Sequence, residues 1–386
     1  MEYGFTETQV MIRDLARKIA QEKIKPIREH YDEVNEFPHE IVKVFADADL
    51  CGVYIGEEYG GLGGGIMDLA ICVEELSKVC SGIALALAAT ALGTFPIILF
   101  GSDEQKKKFL PRIASGKSLA AFGLTEANAG SDASGIKTTA VLDGDEYILN
   151  GTKQWITNGG EADIYTVVAM TNKTKGPRGA SAFIVEKGTP GFTFGKKENK
   201  MGIRASATRE LVFQDCRIPK ANLLAREGMG FIVAMKTLDS SRPGVAAQAL
   251  GIAAGALDEA VDYSRQRRQF GKAICSFQGV QFMLADMATQ VESARALVYA
   301  AARHIDSGAK DISKISAMCK LYASDTAMKV TTDAVQILGG YGYMKEYPVE
   351  KMMRDAKITQ IYEGTNQIQR EVIGLALIKE SAAAKK

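Results

Sequence analysis

The chain has 386 residues, which is too long for one small hydrophobic core, so two or three domains that share buried surface are expected. Its 47 Lys and Arg side chains nearly balance its 46 Asp and Glu side chains, and the formal net charge is +1. This balance argues against a basic surface of the kind that binds nucleic acid or an anionic membrane.

The six cysteines are scattered without a Cys-x-x-Cys pair, and only three histidines could join them as metal ligands. The pattern argues against a zinc site and a disulfide framework, and it favours a reducing compartment. The N-terminus lacks the apolar segment of a signal peptide. We therefore predict a cytoplasmic protein without a metal site.

Apolar residues recur at helical spacing over the first part of the chain. Thr6 followed by Gln9, and Ser102 followed by Gln105, have the spacing of capping boxes, in which each side chain bonds the backbone N–H of the other residue. The pattern predicts an N-terminal helical domain over residues 1–120.

One stretch of this region, residues 82–100 (GIALALAATALGTFPIILF), carries no charge and is just long enough to cross a bilayer. It is rich in Ala, is interrupted by Gly93 and Pro96, and is followed at once by an ordinary amphipathic helix. A buried core helix explains this composition better than a membrane span, so no span is predicted. The same helix is a candidate wall for a ligand pocket.

Short runs of β-branched and aromatic residues replace the helical pattern and predict a central β-domain over residues 121–227. The predicted strands include residues 163–170, 180–186, 192–195 and 209–213.

Two strands within residues 146–157 are predicted to form a hairpin, because Asn150-Gly151 is a strong two-residue turn signal. On the second strand Trp155 and Thr157 are two residues apart and therefore point to the same face. An aromatic plane beside a hydroxyl group suits a flat heteroaromatic ring, although a half-buried Trp near a strand Thr is also common in sheets without any ligand.

Helical periodicity returns after residue 227, with further helices predicted at residues 276–307 and 311–338. The apolar stripe of the first of these C-terminal helices includes Ala246, Leu250, Leu257 and Val261. Short loops between long amphipathic helices favour an antiparallel bundle over residues 228–386. The predicted fold class is therefore α+β, mostly α.

The densest glycine run, residues 60–65 (GGLGGG), lacks the GxGxxG spacing and precedes no βα unit. We interpret it as a turn, so any dinucleotide is not held as in a Rossmann fold.

Three segments resemble the acyl-CoA dehydrogenase family in sequence and in order: residues 122–132 (FGLTEANAGSD), 150–159 (NGTKQWITNG) and 361–368 (IYEGTNQI). Shorter matches lie at residues 239–243 (DSSRP), 267–272 (RRQFGK), 277–278 (FQ), 284–286 (LAD), 336–340 (QILGG) and 354–356 (RDA). The resemblance runs essentially end to end. It implies a helical N-terminal domain, a central β-barrel-like domain and a C-terminal four-helix bundle, with FAD between the last two.

The resemblance also implies how the cofactor is held. Trp155 matches the residue packed against the flavin, Thr157 the hydroxyl bonded at N5, and Leu124 and Thr125 the contacts to the pyrimidine end. The residues that match the adenosine and pyrophosphate contacts, several of them from a neighbouring subunit, are Arg267, Phe270, Gln278, Gln336, Gly340, Thr365 and Gln367. The cofactor site would then require at least a dimer, and the resemblance implies the assembly usual in the family, a homotetramer that is a dimer of dimers.

Glu363 matches the base that removes the α-proton of an acyl-CoA thioester in this family. Its main-chain N–H, together with an FAD ribose hydroxyl, would polarise the thioester carbonyl. The start of a helix, which Thr365 could cap, keeps a carboxylate acidic, whereas a dry pocket raises its pKa. Desolvation must prevail if Glu363 is to act as a base. Without the resemblance, Glu363 would be read as an ordinary acid near a helix start.

Some relatives, such as the isovaleryl-type enzymes, carry the base on the bundle helix instead. The matching position here is Ser241, which cannot serve. The residues matched to substrate contacts are Ser131, Asp239, Arg242, Tyr362 and Gly364. For Asp239 and Arg242, an i,i+3 ion pair on a helix surface is the alternative.

The acyl group is the least specific part of the prediction. The resemblance places Ala84, Leu85, Ala88 and Leu92 along the acyl pocket, whose apolar wall offers no charge for a dicarboxylic substrate. Within the family the chain resembles bacterial short-chain enzymes, which favours a short straight chain such as butyryl. The alternative is a compact branched or alicyclic group such as cyclohexanecarbonyl, because one methylene discriminates by only about 1–3 kcal/mol.

The implied partners are the acyl-CoA substrate and an electron-transferring flavoprotein. An acyl-CoA oxidase, a DNA-binding relative of the family and a catalytically silent acyl-CoA binder are the competing functions. The chain is short for an oxidase, its balanced charge disfavours DNA binding, and the intact Glu363 disfavours a silent binder.

Overall fold

Ten α-helices surround a central sheet in residues 3–384, the part of the chain that the computed structural model describes. Capping boxes at Thr6 and Ser102 start α1 and α5, as predicted. The helices before the sheet are α1 (Glu7–Ile19), α2 (Arg28–Val34), α3 (His39–Asp47), α4 (Ile66–Phe100) and α5 (Asp103–Ala114). Those after it are α6 (Gly230–Gln266), α7 (Gln278–Asp306), α8 (Ser313–Leu338), α9 (Pro348–Thr359) and α10 (Asn366–Ala383).

The sheet has eight strands in the order β6-β7-β3-β2-β4-β5-β8, and β1 pairs in parallel with β4. Its strands are β1 (Ala120–Gly123), β2 (Thr139–Asp143), β3 (Glu146–Thr157), β4 (Ile164–Met170), β5 (Ala180–Glu186), β6 (Phe192–Phe194), β7 (Thr208–Pro219) and β8 (Leu223–Leu224). A separate pair joins β9 (Arg268–Gln269) to β10 (Lys272–Ala273). The central β-domain is confirmed; within residues 3–384 no pairing joins β6 to β8, so the sheet is open rather than a closed barrel.

The hairpin predicted at Asn150-Gly151 is wrong, because β3 runs unbroken through both residues and the turn into it begins at Gly144. Asn150 instead forms a bulge against β7, where its amide oxygen accepts the Asp215 N–H at 2.8 Å. Gly151 is required here for a close approach: a Cβ atom would lie 2.6 Å from the Thr138 hydroxyl oxygen. The Asn-Gly pair thus serves a bulge and not a turn.

The apolar stretch of residues 82–100 lies within α4, and 72% of the most apolar 18-residue window of this helix is buried. Helix α4 packs along α6 and against α1 and β1. The two backbones of α4 and α6 come so close that a Cβ atom at Gly251 would lie 2.4 Å from the Glu74 carbonyl oxygen. The predicted core helix is confirmed, and the two helical regions share one core.

The C-terminal helices pack as a bundle, with α6 against α7, α8 and α9, and α10 against α8. The buried residues of α6 include Ala246 and Leu250 from the predicted stripe. This arrangement brings the middle of α6 and the segment that precedes α10 to the same end of the sheet, where the site described next is found.

Candidate active site

A cavity of about 330 Å³ lies between α4, the sheet, α6 and residues 362–364, which precede α10. Its lining is mostly apolar, with Leu and Ala side chains from α4, and Glu363, Arg242 and Asp132 are charged residues within it. The predicted site residues that line it are Leu124, Thr125, Ser131, Trp155, Thr157, Arg242, Tyr362, Glu363 and Gly364. The fold therefore brings together residues that are up to 240 positions apart (364 − 124 = 240).

Trp155 and Thr157 both line the cavity, but simple strand alternation does not put them there. The pairing of β3 with β7 shifts register between Lys153 and Ile156, and Trp155 has φ +57°. A left-handed Trp is uncommon, and the bulge turns its indole outward so that 58% of the residue is exposed. The cavity thus has a flat apolar ring beside a hydroxyl group, as a planar heteroaromatic ligand requires.

A buried ion pair supports this part of the wall. The Lys153 ammonium lies 2.8 Å from a Glu126 carboxylate oxygen and donates to the Leu124 carbonyl at 2.9 Å. The Glu126 carboxylate also accepts two backbone N–H groups, one of them from Lys137 at 2.7 Å. Although burial opposes ionisation, Lys153 and these donors keep the pKa of Glu126 below its usual range. The pair ties the segment of Leu124 and Thr125 to the bulged strand.

Glu363 lines the cavity and has an unusual backbone conformation. It has φ +52° and is followed by Gly364 with φ +90°, so two consecutive residues are left-handed. Three side chains hold this turn. The Ser241 hydroxyl donates to the carboxylate, the Arg242 Nε donates to the Glu363 carbonyl at 3.4 Å, and the Gln369 amide donates to that carbonyl at 3.2 Å.

Burial raises the pKa of the Glu363 carboxyl, while the Ser241 hydrogen bond and the charges of Arg242 and Lys320 oppose the increase. The net direction is upward, so desolvation prevails, as a base at this position needs. Thr365 caps α10, as predicted: its hydroxyl accepts the Ile368 N–H at 3.3 Å.

The surface alternative for Asp239 and Arg242 is wrong. Their ion pair forms at 2.9 Å, but only 10% and 5% of the side chains are exposed. Asp239 also accepts the Ser313 hydroxyl, so its carboxylate serves to hold Arg242 at the cavity wall. A contact of Asp239, Arg242 or Ser131 with CoA stays a prediction.

The remaining predicted cofactor residues lie apart from the cavity lining. Arg267 and Gly340 line a second groove of about 510 Å³, where the Arg267 guanidinium lies 5.1 Å from the centre of the Tyr341 ring. Phe270 is 92% exposed. Gln278 begins α7, Gln336 lies near the end of α8, and Gln367 is exposed at the start of α10.

The predicted acyl pocket needs one correction and one addition. Ala84 is fully buried and does not line the cavity. The lining face of α4 instead follows the i, i+3, i+4, i+7 spacing of a single helix face, with Leu85, Ala88, Ala89 and Leu92. The addition is Gln248 of α6, which lines the cavity and accepts the Tyr362 hydroxyl.

Gln248 was missed because it belongs to no motif. The one available signal was its polarity within the otherwise apolar run of residues 243–256 (PGVAAQALGIAAGA). It is 1% exposed, and its amide donates to the Ser81 hydroxyl of α4 at 2.6 Å. A buried amide on an apolar helix face requires such partners.

Known proteins resemble this chain throughout its length. The N-terminal, middle and C-terminal domain models of acyl-CoA dehydrogenase match residues 6–117, 121–216 and 228–378. The structure of butyryl-CoA dehydrogenase from Megasphaera elsdenii superposes with a TM-score of 0.96 at 52% identity, covering 98% of this chain and 100% of that one.

Two further relatives are informative. A chain in the structure described as the electron transferring flavoprotein of Acidaminococcus fermentans is 55% identical, with a TM-score of 0.96 and coverage of 98% and 99%. The acryloyl-CoA reductase (NADH) of Anaerotignum propionicum is 51% identical over 98% of this chain and 96% of its own length. The chain therefore belongs to the acyl-CoA dehydrogenase family of flavoprotein oxidoreductases.

Proposed function

We propose that this protein is a cytoplasmic, FAD-dependent dehydrogenase of short-chain acyl-CoA thioesters, with a butyryl-like substrate, a 2-enoyl-CoA product and an electron-transferring flavoprotein as acceptor. The observation that carries the proposal is the Glu363 carboxyl group, which lines a mostly apolar cavity and has a raised pKa. Butyryl-CoA is the substrate named for the relative from Megasphaera elsdenii, and an electron transferring flavoprotein is named for the structure from Acidaminococcus fermentans.

The residues at the cavity fit a flavin. The exposed Trp155 indole offers a face for an isoalloxazine ring, and the Thr157 hydroxyl stands beside it at the same wall. FAD, when bound, accepts the hydrogen and the two electrons that leave the substrate Cβ. Arg267 in the second groove suits a pyrophosphate by its charge and fork geometry.

A second copy of the chain accounts for the separation of the two groups of cofactor residues. Large apolar and aromatic side chains are exposed around the second groove and on the neighbouring helix, among them Phe270 (92%), Phe282 (60%) and Tyr343 (79%). Exposed apolar surface of this kind is typical of subunit interfaces. We infer a homotetramer in which Arg267, Phe270 and their neighbours complete the FAD site of another subunit.

Glu363 performs the proton transfer in this proposal. An unactivated Cβ–H bond breaks at a useful rate only if the α-proton leaves as the Cβ hydrogen departs with its electron pair. The α-proton goes to the Glu363 carboxylate, and the electrons of the Cα–H bond form the double bond. The Glu363 N–H donates to no acceptor within residues 3–384, so it is free to bond the thioester carbonyl.

Gln248 and Tyr362 both line the cavity and are hydrogen-bonded to each other. We infer that this contact closes the acyl end of the cavity, which favours a short substrate. We predict that Gln248→Ala raises kcat/KM for octanoyl-CoA relative to butyryl-CoA by about 10- to 100-fold, because the removed amide leaves room for several methylenes. Steady-state assays with both substrates measure the ratio. The control is Gln214→Ala at an exposed position of β7; an unchanged ratio in Gln248→Ala would show that the depth is set elsewhere.

The experiment that tests the proposed function is an anaerobic titration of the purified protein with butyryl-CoA, isobutyryl-CoA, cyclohexanecarbonyl-CoA and octanoyl-CoA, followed by visible flavin absorbance. We expect butyryl-CoA to bleach the flavin most completely. Preferential bleaching by a branched or alicyclic substrate would replace the acyl group in the proposal. Flavin that none of the four can bleach would reject the dehydrogenase function for these substrates.

A further inference from the structure

A lysine is buried directly behind the catalytic segment. Lys320 lies in the first half of α8, and the residue is fully buried. Its ammonium donates to the Gly364 carbonyl at 2.8 Å and to the Asn366 amide oxygen at 2.9 Å. Within residues 3–384 it forms no ion pair with a carboxylate. A buried ammonium without an opposite charge in contact is costly, so its presence calls for a function.

The segment that Lys320 holds has an unfavourable backbone. Glu363 and Gly364 are both left-handed, and the carbonyl oxygens of both residues point toward donors from other elements. Gln369 donates to both carbonyls, Arg242 donates to that of Glu363, and Lys320 donates to that of Gly364. Lys320 is the donor from α8, so it holds the turn from a different element than Arg242 of α6 and Gln369 of α10.

Two acidic side chains near Lys320 are paired with other cations. Asp239 of α6 is paired with Arg242 at 2.9 Å. Asp325 of α8 is paired with Arg370 at 3.0 Å and accepts an Asn366 N–H. The other titratable group beside Glu363 is the Tyr362 phenol, which is bonded to Gln248 and whose pKa is raised by burial.

We propose that Lys320 is a positioning residue for Glu363, an inference that rests on the function proposed above. Its ammonium clamps the Gly364 carbonyl, which orients the Glu363 side chain, and places a positive charge behind the carboxylate, which keeps that carboxylate ionised when the cavity is dry. Lys320 does not line the cavity and therefore acts through Glu363 rather than on the substrate.

The electrostatics agree with this geometry. Burial lowers the pKa of Lys320 to about 7, with the charge of Glu363 acting in the opposite direction. The charge of Lys320 in turn opposes the burial that raises the pKa of Glu363. Below about pH 7 the ammonium is present, so this is the range in which Lys320 favours ionised Glu363.

The test uses two variants of the FAD-loaded protein. Lys320→Gln keeps a donor for the Gly364 carbonyl but removes the charge, and Lys320→Met removes both. The matched control is Lys329→Gln, which removes an exposed lysine from the same helix. The first readout is the rate of anaerobic flavin reduction by butyryl-CoA as a function of pH.

We expect the pH midpoint of this rate to rise by about one unit in both Lys320 variants, so that the rate falls about tenfold on the acidic side of the profile. At high pH, Lys320→Gln should approach the unmodified rate, whereas Lys320→Met should stay slower because its turn is released. Lys329→Gln should leave the midpoint unchanged. An unmoved midpoint in both Lys320 variants would reduce Lys320 to a packing residue and overturn the proposal.

A second readout does not depend on turnover. The difference in Tm between proteins with Glu363 and with Glu363→Gln changes with pH around the folded-state pKa of Glu363. This midpoint should also move upward in the Lys320→Gln background, whether or not the acyl-CoA reaction is the right one. If Glu363→Gln still reduces the flavin normally, the proposed function fails, and the Tm midpoint separately decides the effect of Lys320.

A Lys320 variant that fails to fold also gives a defined outcome. If Lys320→Met does not fold, Lys320→Gln decides, because it keeps a polar side chain that donates hydrogen bonds at position 320. If neither variant gives folded protein, Lys320 is needed for stability itself, and a dedicated positioning function is rejected.

Discussion

Replacing Glu363 by Gln is expected to lower the rate of flavin reduction by an acyl-CoA by about 10²- to 10⁴-fold, the usual contribution of a general base. Glutamine keeps the shape of the side chain and can still accept the Ser241 hydrogen bond. It cannot take up the α-proton. FAD content and acyl-CoA affinity should therefore stay close to those of the unmodified protein, as measured by absorbance spectra and by equilibrium titration.

Stopped-flow reduction under anaerobic conditions measures this loss, with Glu371→Gln, at an exposed position of α10, as the matched control. In the unmodified protein the rate should increase as the pH rises through the raised pKa of Glu363, since only the ionised carboxylate is a base. Near-normal reduction by the Glu363→Gln protein would assign the proton transfer to another group.

The same substitution is expected to stabilise the fold. Because the folded-state pKa of Glu363 is raised, ionising it costs folding free energy. This cost is absent below the unfolded pKa of about 4.3 and is complete above the folded pKa. The Tm of the Glu363→Gln protein should therefore exceed that of the unmodified protein at neutral pH and converge with it near pH 4. An equal or lower Tm at neutral pH would contradict the predicted direction.

The largest loss of stability is expected from Lys153→Met. The substitution leaves the buried Glu126 carboxylate without its cation, and breaking such a pair from one side costs about 3–5 kcal/mol. The segment of Leu124 and Thr125 also loses a bond that ties it to β3. Equilibrium urea unfolding should show a lower midpoint, and flavin should be released at a lower urea concentration than from the unmodified protein.

Two controls separate charge burial from loss of volume. Arg217→Met removes an exposed arginine whose carboxylate partners are also exposed, and should cost less than about 1 kcal/mol. The double variant Lys153→Met/Glu126→Gln removes both charges and should recover part of the stability. A double variant that is less stable than Lys153→Met alone would show that Glu126 contributes through other bonds.

Local sequence signals predicted a large part of the fold. The capping boxes at Thr6 and Ser102 depend on residues three apart, so they can be read without tertiary information. The apolar helix α4 was assigned to the core from its composition and from Gly93 and Pro96, and its burial against α6 confirms that choice. The order of helical, β and helical regions followed from the change of apolar period alone.

The predictions that the structure contradicts all depend on contacts between segments that are distant in the chain. Asn150-Gly151 has the right residues for a turn, but whether it forms a turn or a bulge depends on the distant strand β7, in which Phe213 pairs with Gly151. The left-handed Trp155 depends on the same partner strand. Ala84 was assigned to the pocket although the face of α4 that meets the cavity is set by how α4 packs on α6. In each case the local conformation or the exposed helix face is set by long-range packing, which the spacing of residues in the sequence does not reveal.

The candidate site also contains both residues that the sequence predicted and residues that it did not. The family resemblance supplied Glu363, Trp155 and Thr157, and the structure places all three at one cavity. Gln248 and Lys320 belong to no motif that the sequence displays. Their importance comes from burial and from partners on other helices, which only the folded chain brings together.

The bond between Ser241 and Glu363 connects positions 122 residues apart, one on a helix and one on a turn. Both side chains reach the same point of the cavity. Under the proposed function, a carboxylate at either position would reach the same part of the cavity. The position of the base in the chain and its position in space are then separable, because exchanging two side chains would move it between these two elements.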